Sequence, residues 1–456
     1  MEKPAPAQKK FTRTISGVTP VAVMTAPLPC PGECVYCPTY SATPQSYTPE
    51  SPAVLRGREC GFDAARQVSL RLKNFAGMGH PVDKIELIIM GGTFLSADVN
   101  YQYRFIKDCY DAINGAPSAS LEEAKKSNET AARRCVGLCI ETRPDFCGEA
   151  EIARMLDFGA TRVEIGVQTL DDKIYDLVRR GHRVAEVVQA TALLKRYGFK
   201  VHYHWMPGLP GSTPEHDLEM TRQLFDDPRF RPDGLKIYPT MVVQGTELEK
   251  WHQTGRYQPY PDEVMINLVA DIKALVPEYV RISRVLRDIP VKFITGGLRQ
   301  SLRGPVKEIM KQRGLFCRCI RCREYGHRRQ AGMKAGEPVL RRRDYEASGG
   351  REIFLSWEDE RDTLFGLTRL RIQPAGRGAI IRELHIYGSE VPLKQADDAS
   401  AQHKGFGKAL IREAERIARE EFGVKEMAVL SGVGAREYYR TELGYRQAGA
   451  YMVREL

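Results

Sequence analysis

Three cysteines fall within eight positions of LPCPGECVYCPTY, residues 28–40, each close to a proline or glycine. The spacing is Cys30-x3-Cys34-x2-Cys37, with no further cysteine until Cys60. Three thiolates on one short loop suit an iron–sulfur cube better than zinc, because a closed zinc site requires four ligands within reach. A cube held by three cysteines keeps one iron open to an exogenous ligand. Tyr36, between the last two cysteines, would pack beside it. The alternatives on the residues alone are three structural thiols, or a zinc site that borrows Cys60.

A second cluster, CRCIRC at residues 317–322, sets Cys317, Cys319 and Cys322 close together, with His327 five residues further on. Three thiolates and an imidazole suit a tetrahedral Zn2+ site that staples a linker. A second iron–sulfur cluster is the alternative. Cys60, Cys109, Cys135, Cys139 and Cys147 read as buried small apolar side chains. Near the C-terminus Gln402-x-x-Gly405-x-Gly407 opens an amphipathic stretch, and glycines there free the first N–H groups of a helix to cradle a pyrophosphate. No GxxxxGK[ST] run occurs, which argues against a nucleoside triphosphatase.

The 456 residues are enough for more than one domain, and 42% hydrophobic with 28% charged residues is an ordinary globular composition. No apolar run approaches the ~20 residues of a membrane span, and the basic N-terminus lacks the apolar core of a signal peptide. A cytoplasmic protein with no membrane association is expected, its cysteines clustered for metal rather than disulfides. The net charge of +10 is uneven. Residues 299–343 carry fourteen Lys or Arg against three Glu, which leaves the rest of the chain near neutral. Such a block suggests a polyanion such as nucleic acid, with Arg328, Arg329, Arg341, Arg342 and Arg343 as phosphate contacts; a solvated linker is the alternative.

These side chains need elements to hold them. Apolar segments at residues 21–25, 85–93, 136–142, 162–169, 200–207 and 234–240 read as strands. Helical patterns at 63–79 and 184–199 lie between them. Alternating strand and helix implies a parallel sheet curled into a full or partial barrel, with its chemistry at the C-terminal strand ends. After about residue 298 the pattern changes. Strands are expected at 352–359, 362–372, 379–388 and 426–432, a long helix at 405–423, and a short helix at 435–445 that comes last. The expected fold class is therefore α/β, with a barrel domain at 1–298, a basic, zinc-binding linker at 299–345 and a smaller α/β domain at 346–456.

The cysteine motif with its aromatic before the last cysteine resembles the radical S-adenosylmethionine (SAM) superfamily. That resemblance implies a partial (β/α) barrel, a 4Fe–4S cluster on Cys30, Cys34 and Cys37, SAM on the open iron, and an external electron donor. MGGT at residues 90–93 stands where the superfamily has a glycine-rich SAM motif, Gly91, Gly92 and Thr93, although its third position there is usually acidic. Glu141, Arg143 and Gln168 lie at later strand tips and could hold SAM; each is also what a structural ion pair or cap would be. The second domain resembles the GNAT acetyltransferases. That implies acetyl-CoA, with its pantetheine arm along Glu383, Leu384, His385 and Ile386. The pyrophosphate would lie at Gln402, Gly405, Phe406, Gly407 and Lys408, and a tyrosine near the thioester would be Tyr438 or Tyr439, with Tyr439 favoured.

The order of both motif sets, with IETRPDFC, RVEIGVQT, GLKIYPT, IRELHIYG and SGVGAREYY, resembles the Elongator catalytic subunit family over nearly all of the chain. The family modifies the wobble uridine, position 34, in the anticodon loop of tRNA. The resemblance implies that a deoxyadenosyl radical takes a hydrogen from the acetyl methyl of acetyl-CoA, that the carbon radical adds to uracil C5, and that thioester hydrolysis leaves 5-carboxymethyluridine. A protein lysine acetyltransferase with a structural iron–sulfur barrel stays open as the alternative, as does a non-enzymatic scaffold. Homo-oligomerisation and companion subunits are equally open.

Overall fold

The computed structural model describes residues 14–299, 301–374, 378–388 and 405–456. Gln402 lies outside them. Seven parallel strands form the first sheet. They are β1 (Thr19–Met24), β2 (Lys84–Met90), β3 (Arg134–Thr142), β4 (Arg162–Gln168), β5 (Lys200–Trp205) and β6 (Gly234–Ile237), then, after a two-residue strand β7 (Val242–Val243), β8 (Arg281–Val285). The order follows the chain, and β8 does not pair with β1, so the barrel is partial. β7 instead pairs with β9 (Ile294–Gly296). Helices cross over between strands and are stopped by local chemistry. Asp63 caps helix Ala64–Gly77 by accepting from Arg66 N at 2.7 Å, and Asp98 caps Val99–Asn114, which ends at Gly115 in the left-handed region.

The strands are patterned in an unusual way. On β4, Val163, Ile165 and Val167 are fully buried against the helices, while Arg162, Glu164, Gly166 and Gln168 line the lumen. On β5, Lys200, His202 and His204 do the same, followed by Met206 just past its end. Strands covered on both faces normally read as continuous apolar runs. Here the period-2 alternation runs with its polar side inward, and it builds a polar cavity down the barrel.

The second sheet has the order β10 (Val339–Ala347), β11 (Gly350–Glu358), β12 (Leu364–Ile372), β13 (Ala379–Ile386), β14 (Glu426–Val429), β16 (Tyr451–Glu455), β15 (Arg446–Ala448). All pairs are antiparallel except β13 with β14. Helix Phe406–Phe422 buries Leu410, Ile411, Ala414, Ile417 and Ala418 against it. Two expectations are corrected. Arg341, Arg342 and Arg343, placed in the linker, lie on β10, which starts the second sheet at Val339. The helix Arg436–Leu443 is not the last element, because the β15–β16 hairpin follows it.

The second sheet closes the N-terminal end of the barrel. Arg382 donates to Asp233 at 2.7 and 2.8 Å, to Glu352 at 2.8 and 3.1 Å and to Phe199 O at 2.7 Å. Arg369 reaches Glu383 at 2.7 Å and Tyr279 O at 2.6 Å, and Lys200 reaches Glu383 at 3.3 Å. Tyr279 stacks on Tyr345 at 4.0 Å. Gly432 packs so tightly on β3 that a methyl group there would lie 2.2 Å from Val136 O.

Candidate active site

At the opposite, C-terminal end of the barrel the loop after β1 carries Cys30, Cys34 and Cys37. A cavity of about 830 Å3 begins there and runs the length of the lumen. Its upper wall includes all three cysteines with Gly92, Thr93, Glu141, Arg143 and Gln168, which sequence reasoning assigned to SAM; Gly91 adjoins them. A single tetrahedral ion about 2.3 Å from each sulfur would hold the sulfurs within roughly 4.6 Å of one another. Among the described residues, Cys317, Cys319 and Cys322 gather within 4.8 Å, whereas Cys30, Cys34 and Cys37 form no such group. Sulfurs spread around the rim of an open cavity fit a multi-iron cluster better than one ion. Burial pushes the Cys37 thiol up to about 11, so ligation would release a proton there.

The strand tips around these cysteines are shaped for a ligand. Gly91 and Gly92 have φ of 139° and 91°, and a methyl group on Gly91 would lie 1.9 Å from Thr25 Oγ1. Thr93 Oγ1 stands 3.8 Å from Cys30 Sγ. Gln168 is held at φ 73°, a costly conformation for a side chain with a Cβ. Its Oε1 is buried without a hydrogen-bond partner among the described residues, as are Thr142 Oγ1 and Arg143 Nη1. Arg143 is otherwise paired with Asp145 at 2.9 and 2.8 Å. Such unsatisfied buried groups are what a polar ligand would satisfy, and SAM, with amino, carboxylate and ribose groups, has the matching chemistry.

Deeper in the lumen lies a cluster that the sequence did not disclose. Glu141 accepts from Tyr47 Oη at 3.2 Å and from Lys236 Nζ at 3.0 Å. Lys236 also pairs with Glu164, which faces His204 Nε2 at 3.2 Å. Burial alone would raise Glu164, but Lys236, then His204 and Arg162, hold its carboxyl well below the usual range. With an ammonium among them, the carboxylates need no metal.

The same cavity is lined at its lower end by Glu383, His385 and Tyr387. β13 pairs with β14 only over Ala379–Ile381, and a bulge at Arg382 marks where it diverges. From Glu383 to Ile386 its strand pairing among the described residues is with β12. Glu383 and His385 face the barrel. Leu384 and Ile386 face Gly407, where a methyl group would lie 3.8 Å from each. Gly405, at φ 82°, starts the helix that presents the N–H groups of Phe406, Gly407 and Lys408. The Lys408 side chain pairs with Glu442 at 2.6 Å.

The two tyrosines differ. Tyr439 is 5% exposed and packs in the core between Tyr438 and Tyr445. A methyl group on Gly407 would lie 3.5 Å from the Tyr438 hydroxyl. Of the two, Tyr438 is the one that faces the helix start at Gly407. In the linker, His327 Nε2 lies 2.9 Å from Glu324 and outside the group formed by Cys317, Cys319 and Cys322. Hydrogen bonds from Cys317, then Cys322, hold the Cys319 thiol well below its ordinary value.

Family models match in the same places. The radical SAM superfamily covers residues 29–224, the Radical_SAM C-terminal domain 232–312, and the acetyltransferase (GNAT) family 321–445. The chain is 65% identical over 98% of its length, and all of the relative's, to "tRNA uridine(34) acetyltransferase" of Dehalococcoides mccartyi. It is 43% identical to human "Elongator complex protein 3", over 98% of this chain and 86% of that one. The chain belongs to the Elongator catalytic subunit family. A solved structure of the family, the Methanocaldococcus infernus protein Elp3 lacking residues 1–46, superposes with a TM-score of 0.87 at 47% identity, over 97% of this chain and 100% of that one. The family's radical SAM barrel and GNAT domain are thus the two sheets described above. No helix among the described residues is long and apolar enough to cross a membrane. Sequence reasoning missed Gln45, Tyr47, Glu164, Arg180, His204 and Lys236; the inward polar alternation of β4 and β5 was the available signal for Glu164 and His204.

Proposed function

We propose that this chain is a tRNA uridine(34) acetyltransferase that makes 5-carboxymethyluridine in the anticodon loop. The observation that carries the reading is the single cavity, bounded by the three cysteines at one end and by the diverging strand of the GNAT sheet at the other. Relatives named for this activity match over the full chain. A cluster reduced by an external donor, with SAM on its open iron, would supply a radical able to take a hydrogen from the acetyl methyl of acetyl-CoA; the resulting carbon would bond to uracil C5, the adduct would give one electron back to the oxidised cluster and lose the C5 proton, and water would then hydrolyse the thioester.

The chain's own residues do the positioning. Cys30, Cys34 and Cys37 hold the cluster, and Gly91, Gly92, Thr93, Glu141, Arg143 and Gln168 line the SAM pocket. The stretch Glu383–Ile386, where β13 has diverged from β14, takes the pantetheine arm, the helix start at Gly405 takes the pyrophosphate, and Tyr438 stands near the thioester. A wobble base in a single-stranded loop enters such a mouth with little pairing energy opposing it.

Of the basic segment, Arg342 is paired with Asp344 and Glu421 at 2.8 Å, and Arg343 with Glu358 at 2.8 Å and with Glu278. Arg328 donates to the carbonyls of Cys322 and Arg361. Those cations serve the fold. Arg303, Lys307 and Lys311 share one exposed face of helix Arg303–Gln312 and join no ion pair among the described residues, so we assign phosphate binding to them. Cys317, Cys319 and Cys322 hold Zn2+ in this reading, with His327 free to serve Glu324. A cytoplasmic location accompanies a tRNA substrate. The test is anaerobic incubation with tRNA, acetyl-CoA, SAM and a reductant, followed by nucleoside mass analysis. Carboxymethyluridine must appear, and must vanish on omission of SAM or in Cys34→Ala. Acetylation of lysine peptides without any uridine product would favour the alternative.

A further inference from the structure

The three cluster cysteines have unequal surroundings. Cys30 Sγ accepts from Gly32 N at 3.5 Å, and Cys37 Sγ from Gln45 Nε2 at 3.4 Å; Gln45 is itself held by Thr39 at 2.8 Å. Both donors are neutral. Cys34 Sγ accepts from Arg180 Nη1 at 3.4 Å, a full cation. Arg180 is only 7% exposed, and no carboxylate pairs with it among the described residues. Its other arm donates to Gly166 O at 2.6 Å, and its backbone N–H to Tyr175 O at 2.9 Å. A methyl group on Gly166 would lie 2.6 Å from Nη2, so the glycine makes room for this placement.

A buried cation without a counter-charge is costly. Here the missing negative charge lies where the thiolates would carry it. A cluster on three thiolates is anionic, and one-electron reduction adds a further negative charge. A fixed guanidinium beside one sulfur favours the reduced form more than the oxidised form, and so raises the reduction potential; hydrogen bonds to the sulfurs act in the same direction.

We propose that Arg180 is a positioning residue for the cluster that sets its reduction potential through the guanidinium bond to Cys34, with Gln45 making a smaller, neutral contribution at Cys37. The proposal rests on the cluster but not on the tRNA reaction, because the electron taken up in the test comes from dithionite and the readout is the cluster itself.

The test is an EPR-monitored redox titration of the full-length reconstituted protein without SAM, with iron content measured for every variant. Arg180→Met keeps the length and removes charge and donors. Its reduced-to-oxidised ratio at a fixed applied potential should fall about tenfold, the effect of removing part of one charge-assisted hydrogen bond. Arg180→Lys, which keeps the charge, should recover most of the loss, and Gln45→Leu should shift the ratio less than Arg180→Met. An Arg180→Met protein with full iron content and an unchanged midpoint overturns the proposal. If that variant takes up less iron, Arg180→Gln is titrated in its place, and an unchanged midpoint there overturns it equally. Loss of iron in the Met and Lys variants alike, with an unchanged midpoint in the protein that keeps its cluster, would mean that Arg180 only supports the loop.

Discussion

Asp233→Asn should loosen the junction between barrel and GNAT sheet far more than an isosteric change normally would. Asp233 is 1% exposed and precedes β6. Its carboxylate accepts from Arg382 at 2.7 and 2.8 Å and from Val201 N at 2.8 Å, with Arg369 at 3.5 Å and Lys195 at 3.7 Å. Removing its charge leaves three buried cations facing Glu352 and Glu383 alone. Breaking one partner of a buried pair costs about 3–5 kcal/mol, against a typical total of about 5–15 kcal/mol. Burial already lowers Lys195 to about 8 with Asp233 opposing the shift, so the variant should hold Lys195 neutral at lower pH. The assay is urea unfolding followed by far-UV circular dichroism and tryptophan fluorescence. The expected result is a loss of at least about 3 kcal/mol, with the two probes separating as the domains uncouple. A loss under about 1 kcal/mol with an unchanged m-value would show that water reaches this network and that the junction does not depend on it.

Three further outcomes follow from the geometry. Gly407→Glu sets a carboxylate against the helix start that faces Leu384, Ile386 and Tyr438; acetyl-CoA binding measured by calorimetry should fall by more than tenfold while iron content is unchanged. Burial, outweighing the neighbouring Asp145, lowers His182 to about 4, with Arg180 and Arg143 acting in the same direction. Its contribution is complete above the ordinary histidine value and is lost as pH falls from about 6.5 towards 4, so wild type should lose about 2–3 kcal/mol more than His182→Phe between pH 7 and 4.5; equal losses would contradict this. Changing Arg303, Lys307 and Lys311 together to Gln should reduce the salt dependence of tRNA binding by roughly 0.7–0.9 in slope for each phosphate no longer neutralised, whereas Arg342→Gln should leave the slope alone and cost stability instead.

The barrel strands were legible because their outward faces are strongly apolar and turn residues close their tips. β8, RISRV, was not, since Arg281 and Ser283 face the lumen and leave little apolar signal. β10 was hidden by three consecutive arginines, which suit a sheet edge exposed to water. The two cysteine groups were legible because their members are close in sequence. Gln45, Arg180 and Lys236 converge on the cavity from distant strands and loops, which no local spacing encodes. Adjacent tyrosines on a helix point about 100° apart, so the sequence could not say whether Tyr438 or Tyr439 faces the glycines; packing around Tyr445 decides it.

The central claim is that one cavity serves one reaction, with the acetyl group activated by the barrel rather than transferred intact. Acetyl-CoA bearing a CD3 group tests it directly, with tRNA, SAM and reductant present and both products weighed. One deuterium is expected in the 5′-deoxyadenosine and two in the carboxymethyl group at uridine 34. Unlabelled 5′-deoxyadenosine, together with an intact CD3-acetyl group on a lysine or on the tRNA, would contradict it.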